Sequence, residues 1–288
     1  MPIERITCLP PLPARPADGH KGTFGRVLVV AGSEGMIGAP VFAGTSALRM
    51  GSGLVHIATP RVIVQTVLSV TLELIGIPLG KGVGKDLLNA ADSADAIIVG
   101  PGLGKSPDAG ARVKRLIRVD KPMVIDADGL NILSTEKCWP RGFRARAILT
   151  PHPGEMKRLA KLFNRTQVPT DDDGRIDIAI KAATTFGQVI VLKGHRTIVT
   201  DGRRVYVNRT GDSTLAKAGT GDVLSGIIGS LLGQGMERFE AACASVHIHG
   251  RAGEIAGKRF GQRCALARDI IDALPQAVAE FERENGNM

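Results

Sequence analysis

The sequence is poor in aromatic side chains, which make up 3% of its 288 residues, with one Trp and one Tyr. So few rings leave little to stack on successive bases, which argues against a single-strand or RNA binder. A core without them must be built from Val, Ile, Leu and Ala, which suits parallel strands covered by helices. C-x-x-C spacing is also absent. The four cysteines, Cys8, Cys138, Cys243 and Cys264, therefore read as free thiols of a cytoplasmic protein. No apolar run reaches the ~20 residues that a membrane helix needs, so no membrane partner is expected. Residues 1–20 hold Pro10, Pro11, Pro13 and Pro16 and lack an apolar h-region, so they do not read as a signal peptide.

The chain has a formal charge of +9, but Lys and Arg are scattered rather than gathered in one run. An anionic small-molecule substrate, or a solvated basic surface, explains that charge better than nucleic acid. Hydrophobic residues at 43% are near the globular average. After the proline-rich lead-in of residues 1–20, short apolar runs alternate with helical patterns through residues 21–288. Strands are expected at 26–31, 55–58, 74–78, 96–99, 123–125, 147–149 and 189–192. Helices are expected at 40–50, 108–119, 154–163 and 176–186. Continuous apolar runs suit strands buried on both faces, and the alternation implies right-handed βαβ units. Residues 197–200 and 204–207 around Asp201-Gly202 read as a β-hairpin. Residues 167–173 read as a surface loop, and three helices follow, at 222–232, 239–256 and 267–284. Neither a linker nor an internal repeat is evident, so one α/β domain is expected, its mostly parallel sheet flanked by helices on both faces.

Many of the 36 glycines cluster at the ends of these strands, where α/β sheets bind ligands. The strongest local signal is the run from Ala216 to Asp222, which opens a helix. Unpaired amides and the positive end of the dipole attract phosphate there, and Gly219 and Gly221 let the backbone approach it closely. Asp222 reads equally as a helix cap or as a base that takes a proton from a hydroxyl attacking the phosphate. Gly100-Pro101-Gly102-Leu103-Gly104 follows another strand and reads as a ligand turn or a plain positive-φ turn. Gly32-Ser33-Glu34-Gly35, followed by Gly38-Ala39, does not meet G-x-G-x-x-G spacing, which disfavours a hydride-transferring Rossmann domain.

Asp126 and Asp128 with Asn131 offer oxygen ligands of the kind Mg²⁺ takes alongside substrate phosphates. The alternative there is a helix cap by Asp128 beside a solvated Asp126. His152, held between Pro151 and Pro153, is either a site residue or an exposed imidazole on a rigid turn. Lys193-Gly194-His195-Arg196-Thr197 offers charge and a flexible backbone to a nucleotide, or is a basic β-turn. His247 and His249 form an H-x-H pair whose members face different ways on a helix, so they read as structural.

Taken together, these motifs resemble the ADP/ATP-dependent NAD(P)H-hydrate dehydratases of the ribokinase-like superfamily. The resemblance runs from His20-Lys21-Gly22 to about Ala279. It includes Lys21-Gly22-Thr23-Phe24-Gly25-Arg26, the Gly100–Gly104 and Asp126–Asn131 runs, Thr150-Pro151-His152-Pro153-Gly154-Glu155, Leu192-Lys193-Gly194 and Gly219-Thr220-Gly221-Asp222. It implies repair of hydrated NADH and NADPH: the C6 hydroxyl is phosphorylated from ADP or ATP, and loss of phosphate restores the dihydropyridine. By this resemblance Asp222 is the base and the amides of Gly219, Thr220 and Gly221 hold phosphoryl charge. The hydrated dinucleotide would contact Ala39, Gly102, Gly104, His152 and Asp222. The adenine nucleotide would lie along Lys193, Gly194, His195, Arg196, Thr197 and Gly221. Mg²⁺ would bridge phosphates, with Glu155 and Asp128 as water-mediated supports. Relatives of this kind are often homotetramers, and many carry a fused epimerase domain. Here a homo-oligomer and a separate NAD(P)H-hydrate epimerase are expected.

The chain departs from the family pattern just before the catalytic glycines, where relatives read close to N-P-T-G-N-P-G-M-A-T-G-G. Residues 208–219 carry neither proline. Lys217 adds a positive charge expected to help anchor the nucleotide, and Ala218 narrows the room for backbone approach. The readings that compete are a small-molecule kinase of the hydroxyethylthiazole or hydroxymethylpyrimidine type, and a non-catalytic nucleotide-binding protein.

Overall fold

The computed structural model describes residues 3–136, 139 and 142–286; Cys138 lies outside them. Among the described residues ten strands form one sheet. In chain order the first elements are β1 (Glu4–Ile6), β2 (Arg26–Val30), α1 (Gly38–Arg49), β3 (Leu54–Pro60), α2 (Arg61–Val70), β4 (Ile75–Leu79), α3 (Lys85–Ser93) and β5 (Ala96–Val99). There follow α4 (Pro107–Leu116), β6 (Pro122–Ile125), α5 (Asp128–Leu133), β7 (Arg146–Leu149), α6 (Pro153–Ala160), α7 (Asp172–Phe186) and β8 (Val189–Leu192). The chain finishes with β9 (Ile198–Thr200), β10 (Arg204–Val207), α8 (Thr220–Gly233), α9 (Arg238–Phe260) and α10 (Ala267–Glu284).

The spatial order is β1-β10-β9-β8-β7-β6-β5-β2-β3-β4. From β8 to β4 every neighbouring pair is parallel; β9 runs against both β8 and β10. The continuous apolar runs divide by strand alternation between two cores. Val27, Val29, Ile98, Val124 and Val191 face one core with α1, α8, α9 and α10. Leu28, Val30, Ile97, Val99, Met123 and Leu192 face the other, under α4, α6 and α7. Both faces of the sheet are covered, as a parallel sheet requires.

Four local features differ from expectation. The proline-rich lead-in contains β1, which adds an edge strand parallel to β10, with Glu4 opposite Arg204. The aspartates of residues 171–173 start a helix rather than a loop: Asp171 Oδ1 accepts the Gly174 N–H at 2.8 Å, and Asp172 and Asp173 sit in the first turn of α7. The helix expected at 154–163 stops at Ala160 and tightens into a 3₁₀ turn. Helices α2 and α3 form where none was expected.

The central helices α1 and α8 approach closely because Gly226 offers no side chain. A Cβ there would lie 2.0 Å from Ser46 Oγ and 2.2 Å from the Ala43 carbonyl oxygen. Gly226→Ala is therefore expected to destabilise the fold by about 1–3 kcal/mol, read as a lower urea midpoint at unchanged slope.

Candidate active site

The strand order reverses between β2 and β5: the chain leaves β2 toward β3 and β4, then returns to β5 on the other side. Such a switch point opens a crevice at the carboxyl ends of the strands. Here the Gly32 N–H donates to the Pro101 carbonyl at 2.9 Å, and Ser33 Oγ donates to the Gly102 carbonyl at 2.8 Å. A Cβ on Gly102 would meet Ala39 Cβ at 2.8 Å, so the turn sits on the first turn of α1. Ala39, Gly102 and Gly104 are thereby gathered on one wall.

Asp128 belongs to that wall. Its Oδ2 accepts the Gly104 N–H at 2.9 Å and its Oδ1 accepts from the Asn131 amide at 3.2 Å. It is the first residue of α5 rather than its cap, which is Ala127 at φ 48°. The neighbouring Asp126 is not solvated: it is 1% exposed. Its Oδ1 accepts from Lys193 Nζ at 2.7 Å and its Oδ2 from Ser225 Oγ at 2.8 Å. The ends of β6 and β8 are thus tied to α8 through one carboxylate.

Lys193 also lies 4.0 Å from Glu155 Oε2. Burial works to lower the Lys193 pKa, but the Asp126 and Glu155 carboxylates outweigh it and the net shift is upward. Glu155 is held by a capping box at the start of α6. It accepts the His152 N–H at 2.8 Å, while His152 Nδ1 accepts the Gly154 N–H at 3.0 Å. His152 Nε2 stands 3.4 Å from Glu155 Oε1. Burial, then the charges of Lys193 and Arg158, lower the His152 pKa, so the imidazole is neutral near pH 7. Burial is also the main cause that raises the Glu155 pKa.

The N-terminus of α8 faces this cluster. Gly219 is its cap, at φ 90°, and a Cβ there would fall 2.7 Å from the Phe42 ring and 3.0 Å from Ala267 Cβ. Gly219→Ala is expected to cost about 1–3 kcal/mol in stability and to distort the loop, seen together as a lower melting temperature and weaker nucleotide binding. A Cβ on Gly221 would lie 3.5 Å from Lys193 Nζ and 3.9 Å from Asp126 Oδ2. The α8 terminus, an ammonium group and a buried carboxylate therefore converge on one point, with the Thr220 N–H turned to the Lys217 carbonyl at 3.4 Å.

Asp222 is the third residue of α8 and does not cap it. Among the described residues its carboxylate has no hydrogen bond. Burial, with the Asp126 charge adding to it and Lys193 opposing, pushes its pKa up to about 7 from the ordinary 3.8. A carboxylate with that pKa and without a partner suits a proton acceptor working near neutrality.

The loop before α8 is fastened differently from the expectation for Lys217. Lys217 Nζ donates to the carbonyls of Arg263 and Ala265, at 2.6 Å for the latter, so its charge braces the α9–α10 connection instead of serving as a free anchor. Asp212 Oδ1 accepts the Thr214 N–H at 2.8 Å and its Oδ2 accepts from Gln262 at 2.8 Å. Thr220 Oγ1 donates to the Leu215 carbonyl at 2.8 Å. These ties hold the segment that lacks the two prolines.

Beside the α8 terminus opens a cavity of ≈ 590 Å³ whose wall includes Lys193, Arg196, Thr197, Thr220, Gly221 and His249. Gly194 and His195 line it as well, so all six residues expected along a nucleotide share one cavity. Helix α7 shapes this wall: Arg175 Nη1 donates to the His195 carbonyl at 2.6 Å, and Arg196 pairs with Asp172. Among the described residues no group of three or more His, Cys, Asp or Glu side chains is arranged to hold a metal ion.

Sequence reasoning missed Ser225, Arg175 and the burial of Asp126. Ser225 carries a faint signal, as the polar residue one turn after Asp222 in an apolar helix. Arg175 and the Asp126–Lys193 pair carry none, because their partners are distant in the chain.

A glycine-rich helix terminus beside a carboxylate and a cavity, at the switch edge of a sheet covered on both faces, marks a ribokinase-like α/β protein. The family model for NAD(P)H-hydrate dehydratase matches residues 27–276, and the chain belongs to that family. It is 42% identical to the bifunctional NAD(P)H-hydrate repair enzyme Nnr of Moorella thermoacetica, over 96% of this chain and 53% of that protein. It is 41% identical to the ADP-dependent (S)-NAD(P)H-hydrate dehydratase of Neisseria meningitidis serogroup B, over 88% of this chain and 84% of that one. The ADP/ATP-dependent NAD(P)H-hydrate dehydratase of Bacillus subtilis, co-crystallized with ATP/Mg²⁺, superposes with a TM-score of 0.81 at 31% identity, covering 94% of this chain and 95% of that one. The chain spans about half the length of the bifunctional relatives it matches.

Proposed function

We propose that this chain dehydrates the S form of hydrated NADH and NADPH, with ADP or ATP as phosphoryl donor. The observation that carries the reading is Asp222, half-buried and without a hydrogen bond among the described residues, at the third position of α8 beside Lys193 and the cavity. The Asp222 carboxylate takes the proton of the C6 hydroxyl. The freed oxygen bonds to the terminal phosphorus as the bond to the bridging oxygen breaks, leaving AMP from ADP or ADP from ATP. The amides at Gly219 and Gly221 hold the charge on the phosphoryl oxygens, while Thr220, whose N–H donates to the Lys217 carbonyl at 3.4 Å, fixes the turn between them. Phosphate then leaves C6 while C5 loses a proton, and the ring double bond returns. Mg²⁺ would neutralise the phosphate charge, and Glu155, buried beside Lys193, would hold its waters. Asp128, with both oxygens engaged, shapes the substrate turn at Gly104.

A sugar- or vitamin-type kinase with the same base would keep its product phosphorylated. The test is the fate of the phosphoryl group. Free orthophosphate and NADH are expected to form in equal amounts, and a stable phosphorylated dinucleotide would point to the kinase instead. We place the protein in the cytoplasm, as a homo-oligomer that works with an NAD(P)H-hydrate epimerase. No described helix is long and apolar enough to cross a membrane. The exposed side chains of Val62, Val70 and Leu72, on and after α2, offer apolar surface for self-association.

A further inference from the structure

The turn that joins β8 to β9 is strained, and a buried cation on α7 holds it from behind. Gly194 has φ 143° and Arg196 has φ 55°, a left-handed conformation that a residue with a side chain disfavours. Within the turn, Thr197 Oγ1 donates to the Gly194 carbonyl at 3.0 Å. Further support comes from α7. Arg175 Nη1 donates to the His195 carbonyl at 2.6 Å, and Asp172 lies 3.6 Å from Arg175 and pairs with Arg196. Gly194 leaves room for the guanidinium, because a Cβ there would fall 3.0 Å from Arg175 Nη2.

Such a cation does little for the stability of the fold. Arg175 is 8% exposed, and its Nη2 has no hydrogen-bond partner among the described residues. Burial lowers its pKa; Asp172 opposes that fall and Arg196 adds to it. The desolvation of a buried ion often exceeds what its pairing returns, so an apolar side chain of similar volume is commonly as stable or more so. Removing it would strand no partner. Asp172 keeps Arg196, and the carbonyl of the exposed His195 can turn to water. What Arg175 holds is the backbone of Gly194, His195, Arg196 and Thr197, which line the nucleotide cavity, while its own side chain stays out of the cavity wall.

We propose that Arg175 is a positioning residue for the adenine nucleotide: it fixes the Gly194–Thr197 turn in the conformation that the nucleotide meets, and sets nucleotide affinity without touching the ligand. The inference rests on the nucleotide-dependent reading above and extends the determinants of binding to α7. A turn released from the guanidinium samples other conformations, and affinity falls with the share of molecules that keep the competent one.

The test is calorimetric titration of ADP with Mg²⁺ into wild type, Arg175→Met and Arg175→Lys, with the nucleotide-free melting temperature of each. Met fills the space without the charge, and Lys keeps a charged donor for the His195 carbonyl. Arg175→Met is expected to raise the Kd for ADP about tenfold while melting at or above the wild-type temperature, and Arg175→Lys to bind ADP within about threefold of wild type. In turnover the KM for ADP should rise with the Kd, while kcat and the KM for the hydrated dinucleotide stay within about twofold. If Arg175→Met binds ADP like wild type, or Arg175→Lys weakens as much as Arg175→Met, the proposal fails. Arg175→Met protein that melts well below wild type, or does not fold, has lost a structural strut, and that also overturns it. Wild-type protein that binds no ADP would sink the nucleotide-dependent reading itself, an outcome distinct from the other failures.

Discussion

Asp222→Asn is expected to lower kcat for dehydration by about 10²–10⁴-fold, the contribution of a positioned general base, while ADP affinity stays near that of wild type. The substitution keeps the shape of the side chain and removes only its ability to accept the proton. The same variant should be more stable than wild type. The carboxyl is held at about 7 in the folded protein against 3.8 ordinarily, so between those values the folded state keeps a proton that the unfolded chain has lost. The cost of this carboxyl to folding is therefore absent below about pH 4, grows as pH rises, and is complete above about pH 7. Asn removes it. At pH 8 the gain should be on the order of 1–3 kcal/mol, and at pH 4 it should vanish, read from urea unfolding at both pH values. Wild-type kcat should fall as pH drops through about 7, because the protonated carboxyl cannot accept the hydroxyl proton. Equal activity of variant and wild type would remove Asp222 from the chemistry.

Asp126→Ala carries the second large effect, this one on the fold. The Asp126 carboxylate is the nearest partner of Lys193, at 2.7 Å, and also accepts from Ser225. Removing it leaves a largely buried ammonium facing Glu155, 4.0 Å away, and the charge of Asp222, and leaves the Ser225 hydroxyl without its acceptor. Breaking a buried pair from one side typically costs about 3–5 kcal/mol, because the remaining charge stays desolvated. Urea unfolding should show a loss of that order with an unchanged slope. Lys193→Met in the same background should recover part of the loss, since the stranded charge is then gone. A variant as stable as wild type would mean that water reaches Lys193 and the pair is not a buried strut.

The strands and the glycine loops were legible because their signals are local. The runs that became β5 and β8 are apolar without interruption, and they form strands with the bounds expected, Ala96–Val99 and Val189–Leu192. Helix α2 was hidden by its own composition: Val62, Ile63, Val64 and Val67 are β-branched and favour strands in isolation. Only the packing of Ile63, Val64 and Val67 onto the sheet makes a helix there. Strand β1 escaped because three residues among prolines carry no periodicity. In the site, the glycine at 219 announced a helix start, but the partner of Asp126 lies 67 residues away at Lys193. A carboxylate meant for solvent and one meant for a buried pair look alike until the sheet brings their strands together.

The most direct test supplies the purified protein with (S)-hydrated NADH, Mg²⁺ and either ADP or ATP, and follows the return of the dihydronicotinamide absorbance. The absorbance should recover with at least one of the two nucleotides and not without a nucleotide. Folded protein that restores no absorbance with either nucleotide would contradict the assignment of this site to hydrate repair.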